Sequence, residues 1–310
     1  MRPRVRLAPL AIASLLLATA GCGSDDAAPR SSPAGDATGT AENTAASSDS
    51  TVATPEDRLA AAPAATIAAG TARTTFTATV VDVNGAGSGA VTFGGEGEID
   101  FENQQASSRS DLGELLRHGG VDNIDGELES VVDGAVSYVR SPFFATMVGA
   151  PTPWIRIDPA ALESATGLDM TQLSGLTSND PNAQLAFLAG VVDGSVEEAG
   201  AGEVRGTPTT RLRAMVDLRK AAEDTGAVTD LPAFEQFIAS LGGGELAVEV
   251  DLDDDDRVRQ LAYEHRLPAG GGGGHQRIEL QYFDFGADVS ISIPPDDQVT
   301  DLADLLGAGE

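Results

Sequence analysis

The run Glu245-Leu246-Ala247-Val248-Glu249-Val250-Asp251-Leu252 limits what this chain can fold into. Leu246, Val248, Val250 and Leu252 share one phase, and Glu245, Glu249 and Asp251 share the other. An extended strand alternates its side chains between two faces, so this spelling predicts an antiparallel sheet with one apolar side and one wet side. Leu212, Ala214, Val216 and Leu218 alternate in the same way with Arg211, Arg213 and Asp217. Similar patterns predict strands over 74–82, 90–101, 104–112, 128–132, 135–140, 195–199, 258–267, 276–285 and 287–293. Asp133-Gly134 and the acidic run 253–256 have the composition of hairpin turns.

Helices carry their own start and stop signals. Ser141-Pro142, Asp158-Pro159 and Asp180-Pro181 each place a capping side chain before a proline suited to the first helical position. Gly149, Gly167 and Gly190 stand near the corresponding ends. A fourth helix opens at Asp230 and sets Phe234, Phe237, Ile238 and Leu241 on one side. Further helices are expected over 55–70 and over 300–306, the last with Leu302, Leu305 and Leu306 together. Nothing in 55–310 separates two cores, so the expectation is one α+β domain.

The residues before it read differently. Arg2, Arg4 and Arg6 precede an apolar stretch over 7–17 that is too short to span a bilayer, and Ala20-Gly21-Cys22 follows. This arrangement resembles the lipobox signals of bacterial lipoproteins, although Thr19 stands where those signals usually carry an aliphatic residue. The resemblance implies removal of 1–21 and acylation of Cys22, holding the protein on the outer face of the cytoplasmic membrane. The alternative is a plain secretory signal that leaves Cys22 as a free thiol. Residues 23–54 have no aromatic residue and only Val52 as a large aliphatic, so 22–54 is expected to be an acylated cysteine and an unstructured tether. Cys22 is the one cysteine, so no internal disulfide can form.

Charge and chemistry exclude several functions. The 310-residue chain has 48 acidic and 19 basic residues, a net −29, which repels nucleic acid and anionic headgroups. His118, His265 and His275 lack metal-ligand spacing and read as surface histidines. Residues 85–89 are glycine-rich but lie between two strands, where a phosphate loop would need a strand followed by a helix. Asp251, Asp253 and Asp255 mimic the opening of a calcium loop, but Asp256 replaces its glycine and Ala262 its bidentate glutamate, so a solvated turn is expected. No catalytic set, metal or cofactor is predicted.

The layout has a resemblance of its own. A helix after the tether, long antiparallel strands, the run 152–158 (Thr-Pro-Trp-Ile-Arg-Ile-Asp), the segment 200–210 entering a long strand, and the late strand before an Asp-rich turn resemble the LppX/LprG/LprA lipoproteins of actinobacteria. That family implies a LolA-like fold, a strongly curved antiparallel half-barrel covered by several helices around an apolar cavity. It also implies carriage of a lipid or lipoglycan with no bond chemistry. If helices cover such a sheet, Phe143, Phe144, Met147, Trp154, Phe187, Phe234 and Phe237 are the candidates to line the cavity; ordinary core packing is the alternative for each. LolA-like sheets also occur in extracytoplasmic regulators, which leaves binding of another envelope protein as a second reading.

Overall fold

The computed structural model describes residues 53–81, 89–121, 125–166, 185, 187–225, 235, 238–239, 243–266 and 274–307. Helix α1 (Pro55–Ile67) opens on a reciprocal cap: Thr54 Oγ1 accepts the Asp57 backbone N–H at 3.1 Å, and the Asp57 carboxylate accepts that of Thr54 at 3.0 Å. Then come β1 (Thr71–Val81), β2 (Ala90–Asp100), β3 (Gln105–Asp111), α2 (Gly113–His118), β4 (Glu127–Asp133), β5 (Val136–Arg140), α3 (Pro142–Val148), β6 (Trp154–Ile157) and α4 (Pro159–Thr166). A 3-10 turn (Phe187–Gly190) leads to β7 (Glu197–Val204), β8 (Thr207–Asp217), α5 (Leu218–Thr225), β9 (Glu245–Leu252), β10 (Val258–Arg266), β11 (His275–Phe283), β12 (Val299–Asp301) and α6 (Leu302–Gly307).

The twelve strands among the described residues join one open, curved sheet in the order β12-β6-β5-β4-β3-β2-β1-β11-β10-β9-β8-β7. Every pair in it is antiparallel except β12 with β6. Glycine supports the curvature in β2: a Cβ on Gly94 would stand 2.6 Å from the Phe76 carbonyl oxygen, and one on Gly95 would stand 2.4 Å from that of Arg109. The strand backbones therefore approach one another more closely than any side chain allows. The β7–β8 turn bridges the paired residues Val204 and Thr207 with Arg205 and Gly206, both at positive φ, the geometry that matches strand twist.

The register assigns the two faces. On the inner face, Ile155, Val139, Ser130, Ser108, Gly97, Thr74 and Tyr282 form one row across β6 to β11. In the next row Phe76, Leu280, Leu261, Val250 and Leu212 continue through β1 to β8. Helices cover this face at both ends. Leu59 and Ala62 of α1 with Leu218 and Ala222 of α5 join a core over β8–β11 that reaches Ala72 and Ile99, while Leu116 of α2 and Phe143 and Phe144 of α3 join a second core over β5–β6 that reaches Ala78, Val80 and Phe93. The outer face carries cross-strand ion pairs, including Arg213 to Glu249 at 2.9 Å and Arg109 to Glu129 at 2.8 Å.

Several expectations need correction. Residues 287–292 alternate half-buried and exposed, and Ile293 is exposed too, but 287–293 form no strand, because the segment finds no ladder partner among the described residues; Ser290 N–H goes to the Glu98 carboxylate at 3.1 Å instead. Leu218 starts α5 rather than ending β8, since Asp217 Oδ1 accepts the Arg219 backbone N–H at 2.8 Å and caps the turn. The short strand Trp154–Ile157 was legible only as part of a family-like phrase, and its parallel partner β12 comes from 145 residues later in the chain, beyond the reach of any local pattern. The Asp-rich turn is not simply solvated. Asp253 is 4% exposed, and its carboxylate accepts Arg257 Nε at 3.0 Å and Arg259 Nε at 2.7 Å. The Asp180 start, the 230–241 helix apart from residues 235 and 238–239, the 85–88 part of the glycine run, and Cys22 with its tether through Val52 lie outside the described residues.

Candidate ligand-binding face

The inner face changes character from its ends to its middle. Leu212, Val250 and Leu261 toward one end are at most 1% exposed, and Val139 and Ile155 toward the other are 2% and 4% exposed. Between them Phe76, Ile278, Leu280, Tyr263 and Leu128 are only half-buried. Phe76 and Leu280 are direct cross-strand partners, yet each packs with a different core. On β1 and β2 themselves Ala72 and Ile99 are buried in one core and Ala78, Val80 and Phe93 in the other, so the partly uncovered apolar floor is a patch where the two cores meet. Burying that floor against an alkyl chain would remove apolar surface from water at about 25 cal/mol per Å².

The candidate residues are divided among three places. Phe143 and Phe144 are buried on α3 and meet edge-on with ring centroids 5.2 Å apart, inside the second core. Phe187 is half-buried on the 3-10 turn and belongs to the first core. These residues are therefore not brought together. Met147 is 48% exposed although it stands one helical turn after the buried Phe143, because the helix stops at Val148 and no core residue covers Met147 among the described residues. Trp154 is out of phase with Ile155 and Ile157 and so faces outward, with the Arg140 guanidinium 6.0 Å from its ring centroid. Phe234 and Phe237 are outside the described residues, as is Cys22.

Sequence reasoning missed the aromatic column on β10. Tyr263 and His265 follow Leu261 in the inner phase; their rings stack 6.3 Å apart, and Phe187 meets Tyr263 at 5.9 Å. Burial pushes the Tyr263 hydroxyl up to about 12. The same cause lowers His265, against a backbone hydrogen bond at Arg266 and the nearby Glu264 charge. His265 is half-buried on the inner face, where a surface histidine was expected from sequence. The signal was present in the alternation of Leu261, Tyr263 and His265, three residues sharing one face.

On the outer face, Asp251 is fully buried and held by Arg211 Nη2 at 3.0 Å, with Thr209 Oγ1 at 3.3 Å. Among the described residues no three His, Cys, Asp or Glu side chains are grouped so as to hold a metal ion. No helix among them is long and apolar enough to cross a membrane, which says nothing of strands.

No family model and no curated protein matches the sequence. Among solved structures, the chain is similar to LprF from Mycobacterium bovis, with 12% identity, 77% of this chain and 96% of that one covered, and a TM-score of 0.44. A chain of the Pseudomonas aeruginosa MucA/MucB complex matches with 12% identity over 79% of this chain and 59% of that one, at a TM-score of 0.31. The Mycobacterium tuberculosis lipoprotein LppX, one of the lipoproteins this chain's layout resembles, matches with 13% identity, 76% and 99% covered, and a TM-score of 0.40.

Proposed function

We propose that this protein is an extracytoplasmic lipoprotein that binds or carries an acyl-chain ligand, a lipid or lipoglycan, at the cell envelope. The observation that carries this reading is the single apolar face of the twelve-stranded sheet, closed by helices at its ends and only half-buried along Phe76, Leu280, Ile278 and Tyr263. Apolar area left partly open on a folded chain is a place where a ligand gains dispersion contacts and sheds water. In this reading Cys22 bears the acyl chains that anchor the protein to the membrane, and 23–54 spaces the domain 55–310 from the bilayer. The chain performs no bond chemistry in this role and requires no cofactor.

Lipid extraction and native mass spectrometry of the purified protein test the reading. A co-purifying species of acyl-lipid mass, removed by delipidation and restored by added lipid, is the expected result. An interior that takes up no lipid would overturn it and favour an envelope protein as the partner. Anchoring is tested separately: Cys22→Ala should release the protein from membranes.

A further inference from the structure

The middle of the inner face is apolar at its margins and hydroxylated along its centre. In one row Ser130, Ser108, Gly97 and Thr74 stand side by side across β4, β3, β2 and β1. At roughly 4.8 Å per strand, this row spans about 14 Å. In the next row Ser110 and Gly95 are again small, and the Phe76 ring lies over Gly95, with Cε1 2.6 Å from where a Cβ would be. A sheet built only to pack helices would place branched aliphatics here, as this one does at Val139, Val250 and Leu261.

The hydroxyls have capacity to spare. Ser108 and Ser130 share one hydrogen bond of 2.9 Å in which either can be the donor, so the pair keeps a second O–H that can donate. Ser137 provides an independent observation. It lies on the same face one row on, between Val132 and Ile157 and diagonal to Ser130 across the β4–β5 ladder, is fully buried, and its Oγ has no hydrogen-bond partner among the described residues. A buried hydroxyl without a partner costs free energy and needs a reason for its presence.

We propose that this trough receives the oxygen-bearing part of the bound amphiphile, while its alkyl chains lie on the apolar floor to either side. The shared chemistry is a hydrogen-bonding oxygen, either an ester carbonyl of a glycerolipid or a hydroxyl of a sugar headgroup. Serine and threonine suit both, because a hydroxyl donates and accepts. This inference rests on the acyl-ligand reading above and assigns the polarity of the ligand within it.

The test is equilibrium binding to the full chain of three probes matched in alkyl length: dioctanoylglycerol, its monogalactosyl derivative, and a branched hydrocarbon without oxygen. The wild-type protein should prefer the oxygenated probes by tenfold or more. Thr74→Val with Ser108→Val should bring that ratio close to one while hydrocarbon binding persists. If that pair fails to fold, Thr74→Ala with Ser108→Ala serves the same purpose. Ser137→Ala should lower the preference severalfold and raise, not lower, the melting temperature of the lipid-free protein. A loss greater for the galactolipid assigns the sugar, and an equal loss assigns the ester. Absence of preference in wild type, or its survival in the variants, overturns the trough while leaving lipid binding intact. Failure to bind any of the three overturns the acyl-ligand reading itself.

Discussion

The two faces of this sheet are written by the same strands, one residue out of phase, and they hold together by different means. The inner face buries Leu212, Val216, Val250 and Leu252 at 0% exposure against helices. The outer face pairs charges such as Arg213 with Glu249 and Arg73 with Glu98, mostly in reach of water. Desolvation makes the first kind of contact strong, and solvent screening makes the second weak. Each ion pair outside therefore matters less than each aliphatic inside, except where the outer face itself becomes dry.

The largest effect should come from the inner face. Phe144→Ala empties a site that is 3% exposed, so denaturant unfolding should register a loss of about 3–5 kcal/mol. A loss below about 1 kcal/mol would place Phe144 on a ligand cavity instead of in the core. Asp253 probes the dry exception outside. Asp253→Ala would leave Arg259, whose side chain is 13% exposed, without its partner carboxylate, and about 3 kcal/mol should be lost.

Asp253 also predicts acid sensitivity. Burial alone would raise its pKa, but the Arg257 backbone N–H and the Arg259 guanidinium outweigh that cost and hold it below the ordinary 3.8. Its contribution is complete above that unfolded value and is lost as pH falls through the lower folded one, so Asp253→Ala should flatten stability between pH 4 and 2. His265 gives a milder dependence in another window. Burial favours its neutral ring, so stability from this group is intact above the ordinary value of 6.5 and declines as pH drops through the lower folded value. Melting curves of His265→Gln should decline less than wild type between pH 7 and 5. The smallest effect belongs to the exposed outer pair: Arg213→Ala, at a side chain 62% exposed, should cost under about 1 kcal/mol and less in high salt.

The comparison also separates what was readable in one dimension. Leu246 to Leu252 announced both faces of β9, because a two-residue period encodes which side is buried. The Ser141-Pro142 start and the Gly149 stop of α3 were equally plain, with Gly149 at φ 72, although the buried Ser141 side chain makes no capping hydrogen bond. The same rule misled at 287–293, whose alternation holds as far as Ser292 but has no strand to pair with among the described residues. Trp154 was misplaced for the opposite reason: it was assigned by its kind, where its phase beside Ile155 would have put it on the outer face.

The sequence alone determined that the chain would build a one-sided antiparallel sheet with capped helices, because alternation and caps act within a few residues. It also determined the acidic surface and the single Cys22. Only the tertiary structure decided that β1 lies between β2 and β11, that β12 returns in parallel to β6, and that Thr74, Ser108 and Ser130 meet in one row. Those juxtapositions join residues tens to hundreds of positions apart. They arise from strand register and long-range closure of the sheet, which no local pattern of side chains specifies.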